Sequence, residues 1–95
     1  MPILQIEHRV RDFDAWKRAF DSDPVGRDER GVLRYRISRA TDDPNLVLVD
    51  LEFDTSEEAQ VFQAGLRDLW SRVEQEGLIE PPRARIVEEV ESKGY

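Results

Sequence analysis

Apolar and polar residues alternate from the start of the chain. Leu4, Ile6, His8 and Val10 share one parity, while Ile3, Gln5, Glu7 and Arg9 share the other. A period of two predicts a strand over 2–10 with one apolar and one mixed face. Asp12 then stands where a helix N-cap belongs, and Phe13, Trp16 and Phe20 recur at helical spacing. Asp14 in the first turn and Lys17 and Arg18 beyond it suit the helix dipole. This aromatic stripe is expected to plug the core, and the helix to stop near Asp21-Ser22-Asp23-Pro24.

Residues 23–31 have no periodicity and read as a surface loop. Alternation resumes over 32–40, with Leu33, Tyr35 and Ile37 on one face and Arg34, Arg36 and Ser38 on the other. Thr41-Asp42-Asp43-Pro44-Asn45 is a turn signal, and a third strand from Leu46 to Phe53 completes a β-hairpin. That strand opens on an unbroken apolar run, the mark of a strand covered on both sides. Val47, Val49, Leu51 and Phe53 suit the helix side, leaving Leu46 and Leu48 to be covered by something else. With only two helices in the chain, the economical cover is a second copy.

Thr55 with Glu58 three residues on is a capping-box signature, followed by Ala59, Phe62, Leu66, Leu69, Trp70 and Val73 on one helical stripe. Gly65 inside it predicts a bend, with a second short helix from Leu66. Gly77 and Pro81-Pro82 end the helical stretch, and residues 83–91 read as the last strand. The order is βαββαβ in one domain, 1–95: an α+β, ferredoxin-like chain with a four-stranded antiparallel sheet.

Composition narrows the chemistry. The chain has 95 residues, no cysteine and a formal charge of -7. Residues 1–40 carry nine basic against seven acidic residues, and 41–95 carry five against fourteen. An acidic chain with no basic block does not suit nucleic acid. With one histidine and no cysteine, a catalytic metal site is not expected. No cofactor is implied: there is no glycine-rich phosphate loop, and none of the serines at 22, 38, 56, 71 and 92 sits in a nucleophile elbow. The longest aliphatic run, Leu46 to Val49, is too short for a membrane span, and no secretory leader is visible, so a cytoplasmic protein is expected.

The stretches His8-x-Val10-x-Asp12-Phe13-Asp14-x-Trp16-Lys17, Tyr35-Arg36 with Asp42-Asp43-Pro44-Asn45, and Pro81-Pro82 to Glu88-Glu89-Val90 carry a resemblance. The chain resembles the dimeric α+β barrel superfamily, which includes antibiotic-biosynthesis monooxygenases and muconolactone isomerase-like proteins. The resemblance implies a homodimer whose sheets pack face to face as a barrel. It also implies a small-molecule ligand, aromatic or polyketide-like, oxygenated or isomerised without a cofactor. The sequence lacks the Asn and Trp arrangement near the first strand of the better-known oxygenating members.

In that reading the substrate is deprotonated to an electron-rich anion. His8, or a carboxylate such as Asp50, is the candidate base, and Arg36 the candidate stabiliser of the anion. Arg34, Tyr35, Trp70 and Glu7 are candidate ligand contacts. The competing reading makes Glu7, Arg9, Arg34, Arg36, Asp50, Glu52 and Arg85 an ion-pair network that fixes dimer register, in a non-catalytic binding or structural protein.

Overall fold

The computed structural model describes residues 1–22, 26, 27, 29–74 and 82–95, with backbone alone for 69–74. Its elements are β1 (Pro2–Arg9), α1 (Phe13–Asp21), β2 (Arg34–Ala40), β3 (Asp43–Glu52), α2 (Ser56–Glu74) and β4 (Arg83–Glu88). The strands form one antiparallel sheet in the order β2-β3-β1-β4. This is the ferredoxin-like arrangement that the βαββαβ pattern predicts.

Register assigns the two faces. Leu4 lies between Leu51 and Ile86, and Ile6 between Val49 and Ala84, so apolar residues meet in rows across the sheet. Those rows face the helices. Leu4, Val47, Val49, Leu51 and Phe53 are the largest fully buried side chains, and Ala59, Phe62 and Leu66 of α2 close over them. Each such side chain contributes about 1.5–3 kcal/mol by leaving water.

The helix starts follow the sequence. Asp12 is extended at φ -145° and its carboxylate accepts from the Asp14 amide at 3.0 Å. Thr55 Oγ1 accepts from the Glu58 amide at 3.2 Å. Gly65 does not break α2, which runs unbroken through it, because buried Phe62 and Leu66 hold the helix to the sheet on either side. The continuous helix replaces the expected bend.

The aromatic stripe of α1 is half-buried and not the core plug that its spacing suggests; no α1 residue is fully buried. Phe13, Trp16, Phe20 and Tyr35 form a ladder with ring centroids 5.9, 5.2 and 5.2 Å apart. The Arg39 guanidinium lies 4.3 Å from the Phe13 centroid, and that of Arg27 lies 3.7 Å from Phe20. α1 has only nine residues, so its rings seal the margin of the core and are covered by cations.

The hairpin is tighter than expected. Only Thr41 and Asp42 turn, and β3 already begins at Asp43. Pairing jumps from Arg39 opposite Val47 to Ala40 opposite Asp43, a bulge that throws out Pro44–Leu46. The bulge receives the end of β1: Asn45 O accepts from the Val10 amide at 2.8 Å, and Asp43 pairs with Arg9. β4 stops at Glu88, short of the expected residue 91, because its neighbour begins at Pro2 and the sheet offers no further partner. Val90 is accordingly 96% exposed. The expected helix stop at Gly77 and the Pro81 of the Pro-Pro pair lie outside the described residues.

Ahead of β2 the chain crosses close to α2. Gly31 has φ +94°, and a Cβ there would come within 2.3 Å of a Glu58 carboxylate oxygen. Gly65 has ordinary helical backbone, and a Cβ there would meet only Arg30 Nη1, at 3.5 Å. The two glycines should therefore respond oppositely to alanine. Gly31→Ala is expected to destabilise by about 1–2 kcal/mol through its left-handed backbone, and Gly65→Ala to stabilise by about 0.5–1 kcal/mol. Urea unfolding of both variants beside wild type measures this.

Candidate functional site

The sheet divides the candidate residues between its two faces. Arg34, Arg36, Asp50 and Glu7 lie on the face away from the helices; His8 and Tyr35 belong to rows on the helix face. The Trp70 side chain lies outside the described residues.

On the open face, register sets charges in rows. Arg34 stands opposite Glu52, and Glu52 opposite Ile3. In the next row Arg36 stands opposite Asp50, followed by Gln5 and Arg85. The third row runs Ser38, Leu48, Glu7 and Arg83. A shallow cleft of about 90 Å³ opens among Ile3, Arg34, Tyr35, Arg36, Asp50, Glu52 and Glu89. Arg34 Nε reaches Glu52 Oε2 at 3.3 Å. With Arg34 73% exposed, that pair adds little to stability. Arg36 and Asp50, although cross-strand neighbours, form no ion pair among the described residues.

Alternation in the sequence locates Arg34, Arg36, Asp50 and Glu7 on one face, but two cleft residues were not singled out. Ile3 shares the parity of Glu7, which is signal enough to place it there. Glu89 lies just beyond β4 and continues the parity of Arg85 and Val87, the mixed face that the alternation over 83–91 gives, which puts it at the cleft.

His8 occupies a different environment. It sits between Ile6 and Val10 on β1, opposite Val47, and is 8% exposed. Its Nε2 is buried and has no hydrogen-bond partner among the described residues. Burial pushes the imidazole below its ordinary value of 6.5, so it is neutral at pH 7. A buried polar atom without a partner costs about 1–3 kcal/mol, and such an atom calls for an explanation. Its distinction is positional. An imidazole at an apolar parity could be read from the sequence; the missing partner could not.

The remaining chemistry is sparse. Among the described residues no group of three or more His, Asp or Glu is placed to hold a metal ion, and no helix is long and apolar enough to cross a membrane.

Fold and site together define a ferredoxin-like α+β protein with an uncovered, charged sheet face and a buried neutral histidine behind it. Solved structures share that fold along nearly the whole chain. The "putative antibiotic biosynthesis monooxygenase" of Nitrosomonas europaea has a TM-score of 0.69 at 20% identity, covering 96% of this chain and 100% of its own. Its Deinococcus radiodurans namesake has a TM-score of 0.71 at 16% identity, covering 100% and 98%. A dimeric ferredoxin-like protein from an uncultured marine organism has a TM-score of 0.57 at 16% identity, covering 90% and 89%. At these identities the likeness is one of fold. No protein-family model matches the chain, and no curated protein is significantly similar to it.

The His8 environment gives a pH signature. The unfolded chain takes up a proton near 6.5, whereas the folded chain resists it to lower pH. The unfolded state therefore binds more protons in that window, and stability must fall as pH drops below 6.5 towards the depressed folded value. The unfolding free energy of wild type relative to His8→Gln should decrease as pH falls from about pH 7 to about pH 5. Parallel curves would mean that His8 is not desolvated.

Proposed function

We propose that the protein is a homodimer joined through its open sheet faces, and that His8 accepts a proton from a small phenolic or enolic substrate bound on the helix side of the sheet. The observation that supports this most is the buried, neutral Nε2, which has no partner among the described residues. A base must be unprotonated at working pH and must have a free lone pair. The fold shared with monooxygenase-named structures favours oxygenation as the following step. The substrate loses a proton to His8, and the resulting anion is oxidised by molecular oxygen, one oxygen atom entering a ring carbon as a carbonyl and the other leaving as water. Isomerisation would use the same proton transfer from the enol oxygen and return the proton to carbon, leaving the ketone.

Arg36 and Asp50 take a different role in this reading. They lie across the sheet from His8 and so cannot act on the same reacting atoms. They belong instead to the interior of the dimer. Leu48, 39% exposed, and the half-buried Ile3 and Val87 supply apolar area between the charges. An obligate interface of this kind buries roughly 2,000 Å² or more in total.

The second reading, a non-catalytic dimer, is favoured by one observation. Arg36 with Asp50, and Glu7 with Arg83, set opposite charges side by side on the open face, as an interlocking network would.

Light scattering tests the dimer that both readings share, and ligand binding with oxygen uptake separates them. Light scattering should give twice the 11.1 kDa chain mass, and Leu48→Arg should shift the protein to monomer; a monomeric wild type sinks the dimer. Thermal shift and oxygen uptake are then measured with hydroxyquinones and polyketide-like phenols. A stabilising phenol that drives oxygen uptake, with His8→Gln lowering the rate by about 10²–10⁴-fold, is the expected result. No stabilising compound, together with a His8→Leu variant more stable than wild type, would make His8 a tolerated core defect and end the catalytic reading.

A further inference from the structure

The open-face cleft holds charges that the chain itself leaves unanswered. Arg34 is answered by Glu52 at 3.3 Å. Arg36, Asp50 and Glu89 also line the cleft, and none of them has an ion pair or side-chain hydrogen bond among the described residues. Asp50 is half-buried, while Arg36 and Glu89 are exposed. The cleft thus offers one free guanidinium and two free carboxylates, with Ile3 as an apolar wall.

That set of charges discriminates among ligands. A simple anion drawn to Arg36 would meet the repulsion of Asp50 and Glu89. A simple cation drawn to the carboxylates would meet Arg36. A molecule carrying both charges a few bonds apart meets neither penalty. Arg36 and Asp50 are direct partners on adjacent strands, with Cα atoms about 4.5–5.5 Å apart by strand geometry. Both side chains leave the same face of neighbouring strands, so one small molecule can reach both. Volume sets a further limit: about 90 Å³ is well below the ~150 Å³ of a cavity that accepts benzene. The space suits a compact polar head and not a fused aromatic ring.

We propose that this cleft binds the zwitterionic head group of a small α-amino acid, with its carboxylate on the Arg36 guanidinium and its ammonium on Asp50. Arg36 offers the planar donor fork that recognises a carboxylate. Glu89 adds to the field that holds the ammonium. The site lies on the opposite face of the sheet from His8 and does not rest on its role. A second copy over the same face would close the cleft, exclude water and strengthen each charged contact.

Glycine is the probe, with acetate and methylamine as its two halves, followed by amide NMR shifts of the full-length protein. Glycine should move the amides of Ile3, Arg36, Asp50 and Glu52 saturably. Each half alone should bind about ten- to a hundredfold more weakly, as should glycine to Arg36→Gln or Asp50→Asn. Retained spectral dispersion would show that the variants fold. Arg85→Gln is the control: it changes net charge on the same face by as much as Arg36→Gln does but lies outside the cleft, and it should leave glycine binding unchanged. Acetate binding as tightly as glycine, equal weakening by Arg85→Gln, or glycine shifts away from these amides would each overturn the proposal. None of these outcomes touches the His8 reading, whose own test is oxygen uptake.

Discussion

The antiparallel pairing of β1 with β3 decides where every other group can go. These two strands are central in the sheet, and their register stacks Leu4 on Leu51, Ile6 on Val49 and His8 on Val47. Because strand side chains alternate strictly, a slip of one residue would turn this whole row to the open face and bring Glu7 and Arg9 under the helices. Burial of the Leu4 and Ile6 row is worth far more than the cost of one unpartnered imidazole nitrogen. His8 is therefore carried into the interior by its neighbours. That is the kind of local conflict that a fold tolerates for function or at a small loss of stability.

The same register shapes the electrostatics. The open face holds Arg9, Arg34, Arg36, Arg83 and Arg85 against Glu7, Asp50, Glu52 and Glu89, a formal charge of +1. With the chain at -7, the rest carries -8. Two copies approaching by their exteriors would repel, whereas open faces of near-zero net charge and mixed sign would not. Screening at physiological salt limits this effect to about 8 Å, which is the range over which docking faces meet. Electrostatics thus agrees with the apolar content of Leu48, Ile3 and Val87 in selecting which surface a second copy would use.

Most of the fold was legible because the chain states its periods cleanly. Parity alone placed Leu4, Ile6, His8 and Val10 under the helices, and Asp12 and Thr55 marked the helix starts. The misreadings came where tertiary contacts override local preference. Gly65 looked like a bend, yet packing of Phe62 and Leu66 carries the helix through it. Thr41 to Asn45 looked like one turn, yet the sheet recruits Asp43 into β3 and uses the remainder to receive Val10. The Phe13, Trp16 and Phe20 spacing gave a helix face correctly but could not show that a nine-residue helix leaves its rings half-buried.

The candidate site was legible as a set of residues and not as an arrangement. His8, Arg36 and Asp50 look like a base and its partners when read along the chain, but β1 presents His8 on one face of the sheet while β2 and β3 present Arg36 and Asp50 on the other. The two faces obey different physics. Behind the sheet, His8 is governed by desolvation, which holds it neutral and makes the absent hydrogen bond costly. In front of it, Arg36 and Asp50 keep their charges in contact with water, and their worth depends on what excludes that water. A ligand or a second copy over the open face would raise the strength of those charges without changing the environment of His8. A compound seated at His8 would fill an apolar setting without answering Arg36. The sheet thus separates the buried imidazole from the charged row, and a single small molecule cannot reach both.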